Sequence, residues 1–368
     1  LFGVVLLAML FVPGAQAAIT CTNTITANVA VLDSPTVFNR LGAQNPNWIT
    51  YALLRDVVEA TPDEVTGILQ PGRVCTAPGV QCSPGNVMLR PDKRPRPLVV
   101  RSVAGSCLTV NFTNLLDPLP AGMAPNGPQQ LNPDLPNGGL FNDDFVADRC
   151  ASFHAQGVEL VDNMDSDGSF VGNNDPAADV NACAAGGNNK SGVIPPGATI
   201  SYNLYTPKEG TFTVNSYGST IGGEANSGNL GIGMFAQLNV QPVGARIYRS
   251  QVTEEELRLA TTGTTANGQP IIDYEALYPN VEPWITEGKA NLPVLNMITA
   301  ANELVHSDIN AIIAGPNPDG SFPASPYPLE SVGNNVPSLP NRLEPFREFS
   351  SIFHDEQTNS QVFPNWYG

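Results

Sequence analysis

His154 is the residue of this chain best suited to metal chemistry. It lies in the run Ser152-Phe153-His154-Ala155-Gln156-Gly157, where an amide, Gln156, follows two places on. Imidazole suits copper and an amide is a weak donor, so His154 is a candidate copper ligand and Gln156 is a poor one. The chain holds only two other histidines, His306 and His354. A blue-copper site needs two His and a Cys, and a mononuclear site together with a trinuclear cluster needs on the order of ten His. Three cannot supply that. None of the six cysteines sits in a His-Cys-His setting. His306, within Glu303-Leu304-Val305-His306-Ser307-Asp308, and His354, before Asp355, have carboxylates nearby in sequence and read as hydrogen-bonded structural histidines.

A second candidate site is Asn163-Met164-Asp165-Ser166-Asp167-Gly168, which alternates oxygen donors and ends on Gly, like the start of a calcium loop. Asp165 and Asp167 are its candidate calcium ligands. The initial Asp is missing, and Asn174 stands where a bidentate Glu would close the cage, so an Asx-rich β-turn is the competing reading. No Ser-His-Asp spacing, phosphate-cradling loop or His-Glu-x-x-His run is present, which removes the commonest hydrolase and nucleotide-binding signatures.

The elements that must position these residues are strands. Gly and Pro number 34 each, helical periodicity is scarce, and short apolar runs alternate with turn residues, the pattern of an all-β sandwich. Expected strands are 25–32, 96–103, 107–114, 151–154, 198–205, 210–217 and 234–242. The turn Ala104-Gly105-Ser106 joins the second and third. Residues 116–143 and 172–197 read as long Pro-, Gly- and Asn-rich loops. Thr253-Glu254-Glu255-Glu256 is a capping signal for a short helix. Residues 250–345 read as an irregular connector, and a fresh strand is expected from Phe346, without the sheet it should join.

Acidic residues outnumber basic ones 34 to 17, a formal charge of −17, which repels nucleic acid and anionic membranes and attracts cations. The one basic cluster is Lys93-Arg94-Pro95-Arg96, short and broken by proline. Residues 1–17 combine an apolar run with Ala15-Gln16-Ala17, the form of a truncated secretory signal peptide, too short to span a membrane. Six cysteines in an exported chain favour disulfides. Cys75 and Cys82 lie close enough to staple one loop, while Cys21 could pair with Cys107, Cys150 or Cys183.

Several of these pieces together resemble a known family. Arg94-Pro95-Arg96-Pro97-Leu98-Val99-Val100-Arg101 through Gly105-Ser106-Cys107-Leu108 resembles a cupredoxin strand pair. His154-Ala155-Gln156-Gly157, Asp167-Gly168-Ser169, Pro196-Gly197 with Tyr202, and Glu209-Gly210-Thr211-Phe212 follow in cupredoxin order. Gly231-Ile232-Gly233-Met234-Phe235 resembles the closing strand. The chain is therefore similar to the first domain of a large bacterial multicopper oxidase of the manganese-oxidising kind. The resemblance implies a cupredoxin-like Greek-key β-sandwich over 22–245, a connector over 246–345, and the start of a second cupredoxin domain over 346–368.

It also implies His-x-His pairs at 154/156 and on the strand carrying Asn215-Ser216-Tyr217, so three of four family ligand positions here lack His. By the resemblance, a full protein would be secreted, periplasmic or extracellular. It would take single electrons from a metal ion or phenol and reduce dioxygen to water, with copper held mostly by downstream cupredoxin domains, the partners of this one. This domain would be chiefly scaffold, inactive and copper-poor by itself. The competing expectation is a copper-free cupredoxin-like structural or binding protein of the cell envelope. The discriminating feature is a downstream His-Cys-His run.

Overall fold

Runs such as Ile25-Thr26-Ala27-Asn28-Val29 and Cys107-Leu108-Thr109-Val110-Asn111-Phe112 alternate apolar and polar residues with period two, so each puts one face into a core and one toward solvent. The computed structural model describes residues 19–37, 44–45, 48–65, 68–118, 149–161, 164–169, 192–218, 228–280, 288–315 and 345–353. Fifteen strands carry the architecture described below. They are β1 (Thr24–Asp33), β2 (Ile49–Leu53), β3 (Val57–Pro62), β4 (Leu69–Val74), β5 (Val87–Leu89), β6 (Leu98–Val103), β7 (Ser106–Asn114) and β8 (His154–Ala155). There follow β9 (Glu159–Leu160), β10 (Thr199–Thr206), β11 (Gly210–Asn215), β12 (Phe235–Gln241), β13 (Arg246–Arg249), β14 (Asn310–Ala314) and β15 (Phe346–Phe349).

Two sheets form a sandwich. The first runs β9-β10-β7-β1-β2 and the second β8-β11-β12-β6. β1 lies parallel to β7, and β12 parallel to β6, while the other ladders are antiparallel. The chain crosses between the sheets from β6 to β7, β7 to β8, β8 to β9 and β10 to β11, crossovers of the Greek-key kind, and the fold is the all-β, cupredoxin-like sandwich expected. The facing sides meet in one core that includes Val29, Leu108, Phe112, Phe153, Tyr202, Val214 and Leu238, each essentially without solvent exposure. Its centre is aromatic: Tyr51, Phe112, Phe153 and Tyr202 stand 6.0–6.4 Å apart between ring centroids. Tyr51 donates its hydroxyl to Ser152 O at 2.6 Å and Tyr202 to Gly192 O at 2.5 Å, which satisfies both buried polar tips.

The expected strands fall within a few residues of the observed ones. A side sheet, β4-β3-β5, was not foreseen. The disulfide Cys75–Cys82 closes the loop after β4, and Cys21–Cys107 ties the start of β1 to the start of β7. Cys150 is disulfide-bonded as well. Cys183 and most of the two long loops lie outside the described residues.

A third sheet, β13-β14-β15, corrects the expectation that the strand at Phe346 has no sheet to join: it pairs antiparallel with β14 from Phe346↔Ile313 to Phe349↔Asn310. This sheet lies on the outer face of β6 and β12. Arg101, fully buried, projects from β6 and donates to Glu348 Oε1 at 3.0 Å, to Asp308 O and to Ile309 O. Asn239 (2.7 Å) and Gln241 of β12 also donate to the Glu348 carboxylate. Residues 302–304 extend the free edge of β1, with Thr26 N–H donating to Asn302 O and Leu304 N–H to Thr26 O, both at 2.8 Å. A second small core surrounds Tyr248, Tyr278, Val294 and Ile312. The predicted helix forms at Glu254–Ala260, with Thr253 and Glu256 closing a capping box. Among the described residues no helix is long and apolar enough to cross a membrane.

Candidate functional site

β8 is short because its residues serve two masters. Phe153 and Ala155 point into the core, at 0% and 6% exposure, while His154 and Gln156 face outward from the same strand. The strand pairs with β11 in the register His154↔Asn215 and Ala155↔Val214, and Gln156 N–H donates to Thr213 O at 3.0 Å. Cross-strand partners share a face. His154 therefore stands beside Asn215, and the Tyr217 ring meets the imidazole edge-on with centroids 4.8 Å apart. The four positions that the family resemblance marks as ligand places, 154, 156, 215 and 217, do gather at one end of the second sheet. One of the four carries an imidazole.

Two turns fix the imidazole. The 3₁₀ turn Met164–Asp167 brings Asp167 O within 2.6 Å of His154 Nδ1, with the Asp167 carboxylate 3.5 Å away. Gly168 ends that turn at φ +73°, and a Cβ there would stand 2.6 Å from Phe153 O. Only glycine allows this approach. Gly157, at φ +71°, ends β8 against the Phe212 ring, where a Cβ would lie 2.1 Å from a ring carbon. A neutral His154 bonded through Nδ1–H to a carbonyl keeps its lone pair on Nε2, the arrangement that metal-bound histidines adopt. The imidazole is oriented for ligation, but its neighbours are not ligands.

Copper does not fit this donor set. The groups beside His154 are the Asn215 and Gln156 amides and the Tyr217 phenol, poor copper donors at neutral pH, and the Asp167 carboxylate, which faces Nδ1, the nitrogen already bonded to Asp167 O. Among the described residues no three His, Cys, Asp or Glu side chains converge on a common point. The cysteines are bound in disulfides among the described residues and offer no thiolate. Calcium fares no better at Asp165 and Asp167. The Asp167 carboxylate accepts from the Ser169 hydroxyl and faces His154, an arrangement that serves the turn. Asn163 and Asn174 lie outside the described residues.

His306 is buried at 6% exposure, and its Nε2–H donates to Pro293 O at 2.8 Å. Burial, followed by the charge of Arg249, holds its pKa well below the ordinary histidine value, with Arg55 and Lys93 adding to the effect. It is a neutral structural histidine, surrounded by cations where the sequence suggested carboxylates. His354 lies outside the described residues. The sequence reading missed the Arg101–Glu348 pair. Its signal was a lone charge inside the apolar run Leu98-Val99-Val100-Arg101-Ser102-Val103, since a charge in a two-sided buried strand must find a partner.

No protein-family model matches the chain, and no curated protein matches it. Among solved structures the chain is similar to a multicopper oxidase from Pseudomonas thermotolerans, at 15% identity over 60% of this chain and 30% of that one, with a TM-score of 0.27. It is also similar to a copper nitrite reductase from Nitrosomonas europaea, at 13% identity over 60% and 42% of the two chains and a TM-score of 0.27. A blue copper oxidase from the same organism matches at 12% identity over 65% and 43%, with a TM-score of 0.28. The chain thus spans less than half the length of each of these proteins, and at such scores the assignment of the fold stands on strand order and register alone.

Proposed function

We propose that this chain is the leading cupredoxin-like part of an exported multicopper oxidase in which this domain serves as scaffold. The observation that supports the reading is the end of the second sheet. Four ligand places of a cupredoxin pair meet there with the expected register, and substitution has removed the donors from three of them while leaving His154 oriented by Asp167 O. A domain with that history keeps the fold and the surface against which other domains pack, and leaves the redox chemistry to them. By this reading the whole protein withdraws single electrons from a metal ion or a phenol and passes them to dioxygen. Disulfides persist in oxidising compartments, which agrees with export.

Metal analysis and visible spectroscopy of the purified chain after incubation with Cu(II) test the scaffold role. The expected result is sub-stoichiometric copper, no intense blue band, and no change on His154→Ala. A stoichiometric blue site would overturn it. Reading the gene past Gly368 tests the oxidase assignment separately. A His-Cys-His run there supports it, and substituted motifs throughout would turn the reading to a copper-free binding or structural protein of the cell envelope.

A further inference from the structure

The basic run Lys93-Arg94-Pro95-Arg96 leads to a cleft that neither the sandwich nor the His154 face accounts for. Lys93, Arg94 and Arg96 line a shallow, open cleft together with Asp56, Ser307 and the β2 residues from Tyr51 to Leu53. Three cations against one carboxylate is a local reversal of sign in a chain of charge −17.

The one carboxylate is already engaged. Asp56, 6% exposed, lies 3.3 Å from Lys93 Nζ and 3.6 Å from Arg90 Nη2. Arg94 and Arg96 have no carboxylate within ion-pair distance among the described residues. Arg96 instead repels the buried Arg101. Its backbone is stiff, because Pro95 and Pro97 fix the chain on either side. Thr50 Oγ1 donates to Arg96 O at 3.4 Å and tacks the segment to β2. The stiff backbone fixes where the two guanidinium groups start from, although each side chain keeps its own rotamer freedom.

Ser307 supplies an independent observation. It is 7% exposed, lines the cleft, and its hydroxyl has no partner among the described residues. That hydroxyl is not among the buried polar atoms that lack a partner, so it is open to solvent in the cleft and free to donate to a ligand there. The residue before it registers the same positive field, since Lys93 and Arg55 both disfavour the proton on His306.

We propose that this cleft binds a small oxyanion of the phosphate class, held by the Arg94 and Arg96 guanidinium groups and by the Ser307 hydroxyl. Guanidinium forks match tetrahedral oxyanions and form charge-assisted hydrogen bonds with them. The overall negative charge repels polyanions, so the ligand is a free anion or a monoester head and not a polyanion.

Thermal unfolding of the full chain, with inorganic phosphate titrated in place of chloride at constant ionic strength, is the test. A saturable rise in Tm is expected. Arg94→Gln with Arg96→Gln should weaken the apparent affinity by about tenfold or more, the loss of at least one charge-assisted hydrogen bond. Ser307→Ala should weaken it by a smaller factor, and Lys208→Gln, at an exposed position elsewhere, should leave it unchanged. If the double variant melts lower in chloride alone, single Arg94→Gln at its exposed site gives the same comparison. A rise that never saturates, or wild-type affinity in the arginine variants, overturns the site. Equal stabilisation by acetate overturns the phosphate class.

Discussion

Glu348 shows how much one side chain carries in this protein. Its carboxylate accepts from Arg101, Asn239 and Gln241, and it is the charge that allows Arg101 to stand fully buried on the outer face of β6. Burial lowers the Arg101 pKa and Glu348 opposes that shift, though an arginine remains charged either way. Removing one partner of a buried pair leaves an uncompensated charge, at a cost of about 3–5 kcal/mol. Glu348→Ala should therefore lower unfolding stability by about that amount in a urea titration. Arg101→Met combined with Glu348→Leu should recover only part of the loss, because the charge is gone but the buried Asn239 and Gln241 amides still lose their acceptor. A loss under about 1 kcal/mol for the single variant would mean that water reaches Arg101. His154 makes a contrasting case, since it was read from the sequence as a lone ligand and remains one imidazole among non-ligands. What sequence could not supply was the reason: Asp167 O, Asn215 and Tyr217 reach it from other turns and strands.

The strands of the sandwich were legible because each has one buried face. Alternation in 25–32 and 107–114, and the apolar runs at 96–103 and 234–242, translate directly into β1, β7, β6 and β12. The side sheet was illegible for the opposite reason. β4 reads Leu-Gln-Pro-Gly-Arg-Val and is exposed until Val74, so no hydrophobic period marks it. β2, buried at all five residues, had no alternation to betray it. The third sheet was hidden because its order, β13-β14-β15, joins segments about 60 and 30 residues apart, and sequence pattern does not report pairing at that range.

Among element-level contacts the Cys21–Cys107 bond stands out, since it closes an 86-residue loop, against 7 residues for Cys75–Cys82. In the chain-entropy account these are worth roughly 4.5 and roughly 2 kcal/mol. Reduction, which also opens the Cys150 bond, should thus lower Tm markedly, and Cys21→Ser with Cys107→Ser should reproduce a large share of the fall. Cys75→Ser with Cys82→Ser should give less than half of it. Equal effects from the two pairs would contradict the loop-length argument.

Across the whole molecule the titrating groups are unevenly placed. His306 and Glu256 belong to the segment from 246 to 315, and Asp92 meets Lys289 of that segment at 3.3 Å. The folded His306 pKa lies below its unfolded value of 6.5, so the unfolded state binds the extra proton and stability falls as pH drops below 6.5. Burial opposes ionisation of Glu256, but Arg249 and the Tyr278 hydroxyl outweigh it and bring its pKa from 4.5 to about 2. Asp92 is depressed too, chiefly by its hydrogen bond and charge contact with Arg90 acting against burial. Their contribution is present above their unfolded values and is lost as pH falls toward 2. Tm measured from neutral to acid should fall in two stages, and His306→Gln should flatten the first. A Tm that stays flat between pH 7 and about 5 would rule out the neutral buried histidine.

The two interfaces of the layered structure differ in how much polar material they hold. Hydrocarbon joins the first sheet to the second, while the seam with the third adds Arg101, Asn239, Gln241 and Glu348 to Ile247, Ala311 and Ile313, which belong to the same apolar core. Burial of hydrocarbon loses its driving force on cooling, whereas hydrogen-bonded and ionic contacts do not share that dependence. Chilling toward freezing therefore weakens both interfaces, and weakens the seam of the third sheet less, because its ion pair and amide contacts remain.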